Sequence, residues 1–146
     1  MAWITEQILL AGAGINENNW KEVIDLGVTA VVNLRAENQD VFGAPAPFAY
    51  LWLPTEDHTD PNPYQLLVGA QMIDTLVKSG HKVLVHCKMG IHRSATMVVA
   101  YSIYSGMDKE EALWHFKKNG SRLYGSEENH QTLDKFIELI SEKRIR

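Results

Sequence analysis

The chain has 146 residues, of which 45% are hydrophobic and 22% are charged, with a formal net charge of −4 at pH 7. This length fits one domain over residues 1–146 with a substantial core, and the acidic balance argues against a nucleic-acid partner. Because no apolar run could cross a bilayer and the start lacks a basic segment followed by an apolar one, we predict a cytoplasmic protein without stable membrane insertion.

Four short runs of apolar and β-branched residues predict strands, at positions 8–10, 28–34, 50–53 and 82–86. Five segments with apolar residues at helical spacing predict helices. Their candidate first residues are, in chain order, Asn18 or Asn19, Asn62 with Pro63, Ser94, Asp108 with Glu111 as a capping box, and Ser126. The glycines expected to end the first four helices are Gly27, Gly80, Gly106 and Gly120.

Strands alternate with helices up to residue 86, and three helices follow. This order predicts a single α/β domain with a mostly parallel central sheet of four to five strands, flanked by helices. In such sheets, ligands bind beyond the carboxyl ends of the strands. A site is therefore expected where the strand at 82–86 ends.

The segment after this strand contains the only cysteine of the sequence, Cys87, which cannot form an internal disulfide. Residues 86–94 read HCKMGIHRS and connect the strand to an apolar helix. Such a loop can direct backbone N–H groups at an anion, and the helix N-terminus adds about half a positive charge. A lone cysteine is often a packed thiol, but the glycine, arginine and serine beside Cys87 favour a chemical role.

Arg93 lies six residues after Cys87, at the far end of this loop. Its guanidinium matches two phosphate oxygens at once. Helix N-termini and cations also lower the pKa of a thiol from about 8.5 to roughly 3.5–7.5. We therefore predict that Cys87 is a nucleophile and that Arg93 binds phosphate.

The segment HCKMGIHRS resembles the Cys-x5-Arg-Ser/Thr signature of protein tyrosine phosphatases, and the strand ending in His-Cys is similar to the dual-specificity branch. The resemblance to small prokaryotic-type members covers essentially the whole chain, including Trp3-Ile4, Leu10-Ala11-Gly12 and Asn33-Leu34-Arg35. It implies a protein tyrosine phosphatase-like fold and a phosphocysteine intermediate, with no cofactor and no metal.

The resemblance also implies a role for each residue of the signature. Ser94 is expected to stabilise the leaving thiolate, although its hydroxyl could also cap the helix, and His86 is expected to be buried and to support the thiolate. The residues implied to form the loop that binds the substrate phosphate are Lys88, Met89, Gly90, Ile91, His92 and Arg93.

Hydrolysis of a phosphate ester requires a general acid for the leaving oxygen. Residues 54–61, PTEDHTDP, are called the acid loop here. By the pattern Pro-x-x-Asp-x-Thr-x-Pro, the resemblance assigns this role to Asp57. Glu56 and Asp60 are alternatives, and Asp60 could instead serve at the start of the next helix.

Several further side chains could lie around the site. Lys88 and His92 are expected to point toward the rim, where they either contact an anionic substrate or are solvated. Arg35, Arg122 and Gln131 are weaker rim candidates for which surface roles are expected.

These features predict a monomeric cysteine-dependent protein tyrosine or dual-specificity phosphatase. Its expected substrates are proteins or peptides that carry phosphotyrosine, with phosphoserine, phosphothreonine and small phosphorylated molecules as further candidates. The alternatives are a phosphoinositide or inositol phosphate phosphatase, a non-catalytic phosphate-binding pseudophosphatase, and a redox or sulfur-transfer enzyme.

Overall fold

The computed structural model describes residues 1–88, 92–119 and 127–145. These residues form a five-stranded sheet with helices on both faces. The strands are β1 (Ala2–Trp3), β2 (Ile8–Ala11), β3 (Val28–Arg35), β4 (Ala49–Thr55) and β5 (Lys82–His86). The helices are α1 (Trp20–Asp25), α2 (Pro63–Lys78), α3 (Arg93–Tyr104), α4 (Lys109–Lys118) and α5 (Glu127–Ile145).

The strands are arranged in the order β1-β2-β5-β3-β4. β1 is antiparallel to β2, and the other neighbouring pairs are parallel. β5 is the central strand, and its last residue, His86, is in register with Ala11 of β2 and with Asn33 of β3. Cys87 therefore leaves the sheet at the middle of its carboxyl edge.

Helices cover the two faces of the sheet unequally. Val83 and Val85 pack into the larger core, which contains residues of α2, α3, α4 and α5, whereas Leu84 packs with Trp20 of α1 in a smaller core. Since side chains alternate along a strand, β5 is buried on both sides. Complete burial of each of these side chains contributes about 1.5–3 kcal/mol.

The predicted mostly parallel α/β architecture is confirmed, although one strand was missed and several element ends differ from the prediction. β1 was not predicted, because two residues carry no periodic signal. β4 extends through Thr55, so Pro54 lies in an edge strand, where its missing N–H is tolerated. α3 begins at Arg93, one residue before the predicted start.

The helix ends test the predicted caps. Asn62 and Gln65 form a reciprocal capping box at α2, and Asp108 accepts a hydrogen bond from the Glu111 N–H at α4. At α1, Asn19 occupies the N-cap position as one of the two predicted residues, but its side chain makes no capping bond. The Asn16 side chain instead accepts hydrogen bonds from two backbone N–H groups, those of Asn18 and Asn19.

The caps Ser126 and Gly120 lie outside the described residues. Within the described part of the chain, no helix combines the length and the apolar character that a bilayer span requires.

Candidate active site

Cys87 follows β5 and is buried at the start of the loop that leads to α3. Its Sγ lies 3.2 Å from the hydroxyl oxygen of Ser94. Ser94 is the second residue of α3 and does not occupy the N-cap position, which belongs to His92. A hydroxyl at this distance can donate to a sulfur anion, so the geometry suits the proposed support of the thiolate and gives no support to the capping alternative.

Arg93 is the first residue of α3, and its side chain is buried. Its Nη1 donates to Oε1 of Glu37 at 2.7 Å, and its Nη2 donates to Oε2 at 3.0 Å. Nη1 also donates to the backbone carbonyl of Thr55 at 2.8 Å. The paired carboxylate and the carbonyl together fix the plane of the guanidinium.

The remaining edge of the guanidinium is suited to an anion. The Nε of Arg93 is buried and has no hydrogen-bond partner among the described residues. Nη2, its neighbour on that edge, lies 3.4 Å from Oδ1 of Asp57. Because Glu37 binds the edge formed by Nη1 and Nη2, the edge formed by Nε and Nη2 can bind a phosphate oxygen pair.

The ion pair strengthens the charge on both partners. The hydrogen bond from Arg93 lowers the pKa of Glu37 from 4.5 to about 2. Burial alone would lower the pKa of Arg93, but the Glu37 carboxylate, with smaller effects from Cys87 and Asp57, outweighs it, so the net effect is a raised pKa. The guanidinium is thus a permanent positive charge beside the sulfur.

Below the loop lies a buried group that we call the sheet-side network, formed by Arg35, Asp40 and His86. Oδ2 of Asp40 lies 2.6 Å from Nε2 of His86, and Oδ1 accepts from Nη2 of Arg35 at 3.1 Å. The backbone N–H of Ile15 also donates to Oδ1, at 2.7 Å. Because a carboxylate only accepts, we assign the shared proton to Nε2 of His86.

Close packing fixes the network in place. The side-chain oxygen of Asn33 accepts from the backbone N–H of Arg35, and the Asn33 amide donates to the hydroxyl of Tyr50. Gly14 contacts the Arg35 guanidinium so closely that a Cβ at this position would overlap it. The residue before the nucleophile is therefore supported from three neighbouring segments.

The acid loop presents its carboxylates differently. The Asp57 side chain is 41% exposed and lies beside Arg93, and Glu56 is exposed. The Asp60 side chain is only 8% exposed and lies 3.0 Å from Nε2 of His92. Of the three candidates, Asp57 combines access to solvent with proximity to Arg93.

The structure brings Asp57, Cys87, Arg93 and Ser94 together, with His86 beneath them. Lys88 is exposed, and the remaining loop residues Met89, Gly90 and Ile91 lie outside the described residues, as does Arg122.

Three rim expectations can be compared with the structure. Arg35 was expected on the surface, and this expectation is wrong, since its side chain is 12% exposed and pairs with Asp40. The His92 ring pairs with Asp60 and is therefore not simply solvated, while its contact with a substrate stays a prediction. Gln131 is exposed, as expected.

Sequence reasoning missed Glu37 and Asp40. Both lie in the polar segment after β3, far along the chain from His86 and Arg93, and no spacing pattern relates them to residues 86–94. Their closeness to Asn33-Leu34-Arg35, one of the segments that carried the resemblance, was the available signal. Among the described residues, no cluster of three His, Cys, Asp or Glu side chains is arranged to hold a metal ion.

Comparison with known proteins shows the family of this site. The family model described as "Dual specificity phosphatase, catalytic domain" matches residues 15–142. A probable rhodanese domain-containing dual specificity protein phosphatase from Dictyostelium discoideum is 35% identical over 99 residues, which cover 67% of this chain and 20% of that protein. The chain thus spans about a fifth of the length of this curated relative.

Two solved structures share the fold over nearly their whole length. Tk-PTP in the active form aligns with a TM-score of 0.78 and 27% identity, covering 94% of this chain and 95% of that one. PTPMT1 in complex with PI(5)P aligns with a TM-score of 0.77 and 26% identity, covering 97% and 96%.

Proposed function

We propose, since the chain belongs to the dual specificity phosphatase family, that it hydrolyses phosphate monoesters through a phosphocysteine intermediate on Cys87. The observation that carries the proposal is the placement of Arg93. Its guanidinium is fixed by Glu37 and Thr55, lies beside Asp57, and has its Nε edge available for phosphate.

In the first step, the Cys87 thiolate attacks phosphorus and forms an S–P bond. The P–O ester bond breaks, its electron pair passes to the leaving oxygen, and Asp57 protonates that oxygen. Arg93 and backbone N–H groups of the loop at residues 88–93 bind the remaining phosphate oxygens, whose charge is spread in the transition state.

In the second step, water attacks phosphorus and gives a proton to Asp57, which now acts as the base. The S–P bond breaks, inorganic phosphate leaves and the thiolate returns. The Ser94 hydroxyl, 3.2 Å from the sulfur, supports this step because it can donate to the thiolate as it leaves.

For the substrate, we propose phosphotyrosine in proteins or peptides first, with phosphoserine and phosphothreonine accepted as well. The charge around Arg93 supports a substrate with a single phosphate. Glu37 and Asp57 contact the guanidinium, and Glu56, the residue before Asp57, is exposed. These three carboxylates would repel further phosphate groups.

A phosphoinositide is the second candidate, favoured by the likeness to PTPMT1 in its complex with PI(5)P. Lys88, which is exposed inside the loop, is the residue that would contact an additional phosphate group. We also place the protein in the cytoplasm, because a nucleophilic thiol must remain reduced.

The test is turnover of p-nitrophenyl phosphate by the wild type, by Cys87→Ser and by Asp74→Asn, a control variant at an ion pair on α2. We expect activity in the wild type and the control and none above background in Cys87→Ser. Phosphate binding without turnover in the wild type would favour a pseudophosphatase. Sulfur transfer without phosphatase activity would favour the redox or sulfur-transfer alternative.

The substrate is tested with a panel of phosphopeptides, phosphoinositides and inositol phosphates, each assayed with the wild type and with Lys88→Ala. A phosphotyrosine peptide should have the highest kcat/KM and should be nearly insensitive to Lys88→Ala. A phosphoinositide with higher kcat/KM that falls sharply in Lys88→Ala would replace the first choice by the second.

A further inference from the structure

Asp60, the next-to-last residue of the acid loop, has a buried carboxylate that three other segments contact. Its Oδ1 lies 3.0 Å from Nε2 of His92, at the end of the phosphate loop, and accepts from the Thr96 hydroxyl of α3 at 3.0 Å. Its Oδ2 accepts from the Thr132 hydroxyl of α5 at 3.2 Å. The last part of the acid loop is thereby joined to the phosphate loop and to two helices.

The first part of the acid loop is joined to the same region by a different bond. The carbonyl of Thr55 accepts a hydrogen bond from Nη1 of Arg93 at 2.8 Å. Between Thr55 and Asp60, the chain makes a turn in which the Glu56 carbonyl accepts from both the N–H and the hydroxyl of Thr59. Asp57 therefore lies in a closed turn that is attached on both sides.

We propose that Asp60 is a positioning residue for Asp57, with His92 as its partner in the phosphate loop. This inference rests on the proposed function, in which Asp57 protonates the leaving oxygen. A general acid acts only within hydrogen-bond reach of that oxygen, and a misplacement of about 1 Å can cost on the order of 10²-fold in rate. The contacts of Asp60 hold the turn at the distance where the Asp57 carboxyl reaches the substrate bound by Arg93.

The same geometry argues against Asp60 as the general acid, an alternative that the sequence left open. Both of its oxygens face hydrogen-bond donors from the protein, whereas a general acid must itself donate to the leaving oxygen. Asp60 consequently acts through Asp57 rather than on the substrate.

The leaving group of the substrate provides a test that a merely structural role would not pass. Phenyl phosphate has a poor leaving group that needs a proton, whereas 2,4-dinitrophenyl phosphate has a leaving group that departs as an anion. In Asp60→Asn, kcat/KM should fall about 10-fold for phenyl phosphate and less than about 2-fold for 2,4-dinitrophenyl phosphate. Asp74→Asn, the same substitution at the ion pair with Lys78 on α2, should change neither value.

Three further variants make the test independent of folding defects in Asp60→Asn. Thr132→Val removes one contact from the distant helix α5 and should give the same selective loss at a smaller size. His92→Ala should also reproduce it, while His92→Gln, whose amide can replace the Nε2 donor, should restore most of the activity on phenyl phosphate. The double variant Asp57→Asn with Asp60→Asn should lose no more than Asp57→Asn alone.

The outcomes are distinguishable from failure of the proposed function, which would abolish turnover in the wild type. If Asp60→Asn and Thr132→Val lost equal activity on both substrates, the contacts of Asp60 would serve only general stability, and the proposal would be overturned. A selective loss in Asp60→Asn with none in Asp57→Asn would make Asp60 the acid, which also overturns it.

Discussion

The sheet-side network and the acid loop both place carboxylates close to the phosphate loop, but they do so in opposite surroundings. Asp40 and His86 are fully buried, and Asp40 is bonded from β5, from Arg35 at the end of β3 and from the backbone of Ile15. Asp57 is 41% exposed and lies at the tip of a surface turn. One region is part of the core, and the other is open to substrate and water.

This difference suits the two regions to different roles, structural support for the sheet-side network and proton transfer for the acid loop. A buried charge is tolerated only when fixed partners satisfy it, so the sheet-side network contributes order beneath Cys87. An exposed carboxyl can exchange its proton with solvent between turnovers, as a general acid must. Arg93 is a connection between the acid loop, through the Thr55 carbonyl, and Glu37, which lies between Arg35 and Asp40 in the sequence.

The largest effect is expected at this connection. Arg93→Lys keeps the charge but removes the planar fork that binds Glu37 on one edge and that we propose binds phosphate on the other. We expect kcat/KM to fall about 10³-fold, the upper range for loss of a preorganised donor. Steady-state kinetics on p-nitrophenyl phosphate measures this, and a loss below about 10-fold would show that the guanidinium geometry is dispensable.

Substitutions in the sheet-side network should mainly lower the stability of the fold. Asp40→Ala leaves His86 and Arg35 without their shared carboxylate, and we expect the free energy of unfolding to fall by about 3 kcal/mol. Asp40→Asn, which keeps a hydrogen-bond acceptor, should lose about 1 kcal/mol. Urea denaturation monitored by tryptophan fluorescence gives both values, and equal stability of Asp40→Ala and wild type would refute the structural role of the network.

Substitutions in the acid loop should instead mainly lower the catalytic activity. Asp57→Asn is expected to lower kcat by about 10²-fold, because protonation of the leaving oxygen is lost. The free energy of unfolding should change by less than about 0.5 kcal/mol, as at other exposed sites. If denaturation showed a loss as large as that of Asp40→Ala, the contrast between the two regions would fail.

The smallest effect concerns Glu37, whose pKa is lowered from 4.5 to about 2 by the hydrogen bond from Arg93. Since the pKa is lower in the folded state, this stabilisation is fully present above pH 4.5 and is lost as the pH falls toward 2. Glu37→Gln should therefore be less stable than the wild type at neutral pH by at most about 1 kcal/mol. The gap measured by denaturation should close in strong acid, and a gap that widened in acid would have the wrong sign.

The sequence predicted the parts of this molecule that depend on local pattern. Alternating strands and helices predicted the sheet, and the spacing of Cys87 and Arg93 around a strand end predicted a phosphate loop. The Asn62 cap was also predicted, because Pro63 follows it at the first helical position. These interactions join neighbours in the chain.

The remaining features depend on contacts between distant segments. Asp40 meets His86 and Glu37 meets Arg93 only after β3 and β5 pair, so no local pattern marks either carboxylate. The choice between Asp57 and Asp60 likewise depends on α3 and α5, whose threonines contact Asp60. The sequence could therefore name candidate residues such as Asp57 and Asp60, but only the folded structure shows which groups surround them.

The most direct test of the central claim is detection of the phosphocysteine. In Ser94→Ala, breakdown of the intermediate should slow because the leaving thiolate loses the hydroxyl 3.2 Å away. Acid quench during turnover, followed by peptide mass spectrometry, should then find one phosphoryl group on Cys87, and none after Cys87→Ser. Turnover with the phosphoryl group on another residue, or with an unmodified Cys87 throughout, would contradict the account.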